Sequence, residues 1–170
     1  MRAYLYGPLT RLGLIAAAIV GAIDQAVKLW LLFGFDLANR GIVHLTPFLD
    51  FVLTWNTGIS YGLFPQDGDF GRFVLLGLKT AAVVVLWIWL AQAETRLTAL
   101  ALGLIIGGAV GNGIDRLAYG AVVDFVLFHI TTPTFNFTWY VFNLADAAIV
   151  AGVVGLLYES FLGGRAAKAP

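Results

Sequence analysis

The chain has 170 residues, of which 60% are hydrophobic and only 12% charged, and its mean hydropathy is +0.88. A soluble domain carries about 25% charged residues, so a water-solvated globule is excluded and lipid must cover much of the surface. Ten basic side chains balance ten acidic ones with no basic run, which argues against a nucleic-acid partner, and the absence of cysteine excludes disulfides, thiolate metal sites, a cysteine nucleophile and lipidation of the chain itself.

A bilayer core of about 30 Å needs about 20 apolar residues per helix, and four stretches are long enough. The first runs from Leu12 to Phe33. Its small residues Ala16, Ala17 and Ala18 resemble a cleavage site, but the run is too long for a leader and carries Asp24 and Lys28, so it is read as a retained helix. Residues 34–72 follow. Within them Phe51, Leu53 and Trp55 alternate with Asp50, Val52, Thr54 and Asn56, the two-residue period of a half-buried strand. Pro65 to Gly71 reads as a turn-rich excursion.

The second helix is expected over 73–91 and the third over 97–117. In the connection 118–139, Phe135, Phe137 and Trp139 alternate with Thr134, Asn136 and Thr138. Such an aromatic-faced ribbon belongs at the lipid headgroup level. The fourth helix is expected over 140–162. Arg2, Arg11, Arg96, Arg165 and Lys168 collect on one side, against Arg40 and Arg72 on the other. The positive-inside bias therefore puts both termini in the cytoplasm and both long connections outside. The expected fold is one integral membrane domain, 1–170: mainly α, with four transmembrane helices and a small β-strand platform with loops on the outer face.

Ionisable groups inside hydrocarbon cost several kcal/mol unless paired or hydrated, so each calls for a reason. Asp24 and Lys28 lie i, i+4 on one helical face, which fits an internal ion pair or a direct role in a site. Asn112 and Arg116 have the same spacing, with Asp115 beside them, and Gly107, Gly108, Gly111 and Gly113 allow close helix packing there. Asp124 sits among apolar residues, as a helix cap or a site carboxylate. Asp146 lies one turn after Asn143 inside the fourth apolar stretch, with nothing in that helix to neutralise it. Lys79 and Glu159 are assigned no role. His44 and His129 stand isolated in the outer connections, too few ligands for a metal.

Two nearby carboxyl groups cannot both ionise easily and tend to share one proton. The ionised member can deprotonate a water while the protonated one donates to a scissile carbonyl oxygen. Ser60 and Ser160 belong to no Ser/His/Asp constellation. A small transporter would also place acids in a bundle, but its polar residues should cross both halves of the bilayer. A scaffold without catalysis leaves Asp146 unexplained. The residues alone reach an outward-facing polar cluster with an acidic pair.

At those residues the chain resembles bacterial lipoprotein signal peptidase, signal peptidase II. The resemblance runs through Asp24-Gln25-Ala26-Val27-Lys28, Asn56-Thr57-Gly58, the stretch Gly107 to Arg116, the stretch Gly120 to Phe125, and Phe142-Asn143-Leu144-Ala145-Asp146. It implies four helices, cytoplasmic termini, and an outward-facing site in the bacterial inner membrane. The implied reaction is cleavage of prolipoproteins just before the diacylglyceryl-modified cysteine. By motif, Asp124 and Asp146 correspond to the catalytic aspartates and Asn112 and Asn143 to polar partners that orient them. Asp24, Lys28, Asn56, Gly58, Asp115 and Arg116 correspond to the supporting and substrate-binding shell. Arg116 is expected to meet a polar headgroup or a backbone carbonyl. The resemblance further implies inhibition by cyclic peptides of the globomycin type; membrane lipid is an expected partner, and a monomer with no cofactor or metal is expected. Ile59, Ser60, Tyr61 and Gly113 depart from the usual pattern and bear on substrate fit rather than on chemistry.

Overall fold

The computed structural model describes residues 5–58 and 69–163. The departures at Ile59, Ser60 and Tyr61 lie outside the described residues, as do Pro65 to Gly68, Arg2, Arg165 and Lys168, and the side chains of Arg72 and Lys79. Helix α1 (Thr10–Leu29) continues into a π-turn (Trp30–Gly34), and a short helix α2 (Leu37–Arg40) follows. Strands β1 (Val43–Thr46) and β2 (Leu49–Asn56) form a hairpin. Helices α3 (Asp69–Ala91) and α4 (Arg96–Tyr119) lead to β3 (Val122–Thr131) and β4 (Asn136–Thr138). Helix α5 (Leu144–Tyr158) ends in a second π-turn (Glu159–Gly163). Asp69 to Gly71, expected in a turn, already belong to α3.

Among the described residues, three helices are long and apolar enough to cross a membrane: Thr10–Gly34, Arg96–Tyr119 and Leu144–Phe161. In α3 the described apolar part, Thr80–Ala91, is shorter. Lipid-facing residues explain the outward apolar surface: Ile15, Ile19 and Ile23 on α1, and Val150, Val153, Val154 and Leu157 on α5, are all exposed. Helix α4 is the centre. It packs along α1 on one side and α5 on another, with α3 against it near one end. Leu90, Ala93, Ala99, Leu102, Ile106 and Ala17 form the apolar core there.

Glycines bring the helices together where side chains would keep them apart. A Cβ at Gly108 would overlap the carbonyl of Ala145, and one at Gly111 would stand 2.8 Å from the Asp24 carboxylate. These two positions let α1, α4 and the start of α5 converge. Gly113, by contrast, faces open space.

The four strands pair antiparallel in the order β1-β2-β3-β4. Gly120 ends α4 at φ 79°, a left-handed turn that an L side chain rarely adopts, and feeds the chain straight into β3. The alternation read in 50–56 does give a strand, but its buried member is Asp50, while Trp55 is exposed and packs edge-on against Tyr119. The aromatic ribbon is a stacked series: Phe135 on Phe137, then Phe137 beside Trp139, then Trp139 beside Tyr140. The final helix starts at Leu144, not near Tyr140. Phe142 is held extended by backbone hydrogen bonds to Val126 in both directions, 2.8 and 3.0 Å, so the helix cannot begin before Asn143 caps it.

Candidate active site

Among the described residues, the end of the bundle nearest the sheet gathers most of the buried polar side chains. Asp24 and Lys28 come from α1, Asn112, Asp115 and Arg116 from α4, Asp124 from β3, and Asn143 from the cap of α5. Asp124 is 2% exposed and Asn143 fully buried. Asp124 stands in a strand and caps no helix.

Asn143 is the hub. Its side-chain nitrogen donates to Asp124 Oδ1 at 2.6 Å and to Asn112 Oδ1 at 3.0 Å. Its side-chain oxygen accepts from the Asp146 amide at 2.9 Å, and its own amide donates to Asp146 Oδ2 at 3.2 Å. That reciprocal pair is a capping box, here built from Asn143 and Asp146. Asp146 therefore lies in the first turn of α5, where backbone amides point at it, and not mid-helix without a local partner. The Asn-x-x-Asp spacing was the signal for this.

Asn112 ties the second carboxyl in, donating to Asp146 Oδ1 at 2.8 Å. Asn56, at the end of β2, donates to Asp124 Oδ2 at 3.0 Å and accepts from the Gly58 amide at 3.1 Å. Arg116 donates to the Gly58 carbonyl at 2.9 Å and the Asn112 carbonyl at 3.2 Å. Of the two partners expected for Arg116, the structure supplies a backbone carbonyl. Every site residue named from the sequence falls in this one network.

Its electrostatics are asymmetric. Asp124 receives hydrogen bonds from neutral amides, while burial and the nearby Asp146 charge oppose ionisation. Burial dominates, and its pKa is pushed up to about 6. Behind the pair, Lys28 lies 2.7 Å from both Asp24 and Asp115. Gln25 donates to Asp115 Oδ1 at 2.8 Å and to the Gly111 carbonyl at 3.1 Å. The i, i+4 spacing identifies the Asp24–Lys28 pair; nothing in it announces Asp115 as third member or Gln25 as a bridge.

Two further groupings lie outside this network. His44 Nδ1 and His129 Nε2 both approach Asp50, at 2.8 and 3.0 Å, so the two histidines are not isolated. At the far end of the bundle, Glu159 accepts hydrogen bonds from the hydroxyls of Thr95 and Thr98 at the N-terminus of α4, where Thr95 is the cap.

Residues 16–162 match the family model described as signal peptidase (SPase) II. The chain is 61% identical to the lipoprotein signal peptidase of Nitrobacter hamburgensis over 160 residues, which is 94% of this chain and 98% of that one. It is 58% identical, over the same length and shares, to the lipoprotein signal peptidase of Rhodopseudomonas palustris. A solved bacterial membrane enzyme has a similar structure, with a TM-score of 0.69 at 25% identity over 93% of this chain and 92% of that one.

Proposed function

The chain belongs to the signal peptidase II family, and from that premise we propose that it removes the signal peptides of prolipoproteins as an aspartyl endopeptidase. The cut falls just before the diacylglyceryl-modified cysteine. The observation that carries the chemistry is Asn143, whose side-chain amide donates to the Asp124 carboxyl and whose backbone amide donates to the Asp146 carboxyl. It brings a strand carboxyl and a helix-terminal carboxyl to one point.

The asymmetry assigns their roles. Asp146 accepts from Asn112, from the Asn143 amide and from the positive end of α5, so it is the carboxylate. Asp124, buried and raised to about 6, is the proton carrier. Asp146 takes a proton from water as the oxygen adds to the scissile carbonyl carbon. Asp124 donates its proton to the carbonyl oxygen, giving a neutral tetrahedral diol. As the carbon–nitrogen bond breaks, Asp146 returns its proton to the leaving cysteine amine and Asp124 recovers one from the diol hydroxyl. The dyad ends as it began, with one proton on Asp124 and Asp146 ionised.

The substrate's diacylglyceryl group fixes the cleavage point at the membrane surface. The buried charges crowd toward the sheet end, and the aromatic series along β4 and its flanking residues lies at that same end, as a lipid headgroup boundary requires. Arg11 and Arg96 are exposed near the other end of the bundle, which supports cytoplasmic termini and an outward site in the inner membrane. The concentration of buried charge at one end also disfavours a transport path. The enzyme works as a monomer, in contact with lipid, and is open to cyclic-peptide inhibitors of the globomycin type. The test is cleavage of a diacylglyceryl-modified proprotein by purified enzyme, with the product's new N-terminus read by mass spectrometry. Cleavage directly before the lipidated cysteine, lost in Asp124→Asn and Asp146→Asn, is expected. A folded variant that cuts at the wild-type rate would refute the pair.

A further inference from the structure

Behind each proposed catalytic aspartate stands a second aspartate that holds the residue just before it. Asp24 Oδ1 accepts from the amide of Ala145, which precedes Asp146, at 3.0 Å. Asp115 Oδ2 accepts from the amide of Val123, which precedes Asp124, at 3.1 Å. Both supporting carboxylates are bound by one ammonium, Lys28, at 2.7 Å each. We propose that Lys28, Asp24 and Asp115 form a yoke that sets the spacing between the backbones carrying Asp124 and Asp146, with Lys28 as its central positioning residue. The inference rests on the dyad reading given above and deepens it.

Simple charge balance does not call for this arrangement. An Asp24–Lys28 pair within α1 would already neutralise itself. Asp115 instead adds a further carboxylate, so among the described residues Asp24, Asp115, Asp124 and Asp146 face the two cations Lys28 and Arg116. An ion cluster this buried is costly and adds little net stability. What it supplies is position. Each supporting carboxylate spends one interaction on the lysine and one on a backbone amide next to the dyad, and Gln25 braces Asp115 to the α4 backbone at Gly111. None of the three need touch substrate. Lys28 also donates to Asn112 Oδ1 at 3.3 Å, so its charge reaches the dyad through the amide that holds Asp146.

The groups facing Lys28 are Asp24 on its own helix, Asp115 and Asn112 on α4, and, further off, Asp124 on β3. The test is steady-state kinetics on the lipidated proprotein, normalised to folded enzyme, for Lys28→Met and Lys28→Arg. Lys28→Met is expected to lower kcat about 100-fold, the scale of a 1 Å misplacement of reacting groups, with KM changed less than about threefold. It should also move the basic limb of the pH profile upward, because the ammonium favours ionised Asp124. Lys28→Arg should return the limb to its place and recover part of kcat. A wild-type kcat per folded molecule in Lys28→Met, or a loss with the limb unmoved, overturns the yoke. Should Lys28→Met not fold, Asp115→Asn carries the same test: about a tenfold loss in kcat at constant KM is expected, and wild-type kcat overturns the proposal. Asp124→Asn and Asp146→Asn run alongside. If they stay active the dyad fails; if they are dead while Lys28→Met keeps wild-type kcat, the yoke alone fails.

Discussion

Asp50 and Asp124 stand on adjacent strands of one sheet, 4% and 2% exposed, and yet they are driven in opposite directions. Asp50 is met by two imidazoles. The hydrogen bond from His44 holds its carboxyl below the usual range, and His129 adds to this against the cost of burial. At Asp124 burial dominates, the neutral amides of Asn56 and Asn143 only partly oppose it, a second carboxylate adds to it, and the pKa rises to about 6. Similar solvent exposure thus accompanies one carboxylate that clips three strands together and another poised to carry a proton. At Asp50 the imidazoles outweigh the cost of burial, and at Asp124 that cost outweighs the neutral amides.

The largest expected effect lies at the proposed dyad. Asp124→Asn and Asp146→Asn should each lower kcat by about 10²–10⁴, the range lost when a general acid or base is removed. Stability should respond with the opposite sign. A carboxyl whose folded pKa is raised contributes fully below its unfolded value, about 3.9, and the contribution is lost as pH rises through the folded value, about 6. Tenfold in proton affinity is about 1.4 kcal/mol, so ionised Asp124 costs folding about 3 kcal/mol above pH 6. Asp124→Asn should therefore raise the apparent Tm in detergent at pH 7.5 while abolishing turnover, and an unchanged or lower Tm would show that its burial is not strained.

Asn143→Ala comes next. It removes the hub and the cap of α5 together, so kcat should fall about 100-fold and stability by about 1 kcal/mol, measured by turnover and thermal melts. Asn56→Ala should act more gently. It removes one donor to ionised Asp124, so the basic limb of the pH–rate profile moves upward and kcat falls about tenfold. Asp50→Asn is the counterpart and the smallest effect on activity. It should leave kcat within about twofold, as for a group away from the reacting atoms. Because the folded pKa of Asp50 is depressed, its contribution is present above about pH 3.9 and lost as pH falls through the folded value. The mutant's Tm deficit at pH 7 should close under strong acid.

Sequence reading reached the apolar helices because lipid imposes a length and a composition that single stretches display. Asp24 with Lys28 was visible for the same reason, an i, i+4 spacing within one helix. Alternation in 50–56 marked β2 but could not tell which face turned inward, since the buried side chain is an aspartate whose two histidine partners sit on other strands. Strand β3 reads as a nearly continuous apolar run, without the period-two pattern that would mark it. The start of α5 was misplaced because Tyr140 to Phe142 are as apolar as the helix. Only the bridge to Val126 shows that they belong to the sheet. Asp115's link to Lys28 joins two helices and is invisible to any spacing rule.

The proposed mechanism needs one proton held by Asp124 beside an ionised Asp146. The pH dependence of kcat/KM for the wild-type enzyme on a lipidated proprotein reports the free enzyme's essential groups. A profile that falls above about pH 6, with this limb moving up in Asn56→Ala, is the predicted result. A rate that climbs through pH 6 to a plateau at alkaline pH would mean both carboxyls act ionised, and would contradict it.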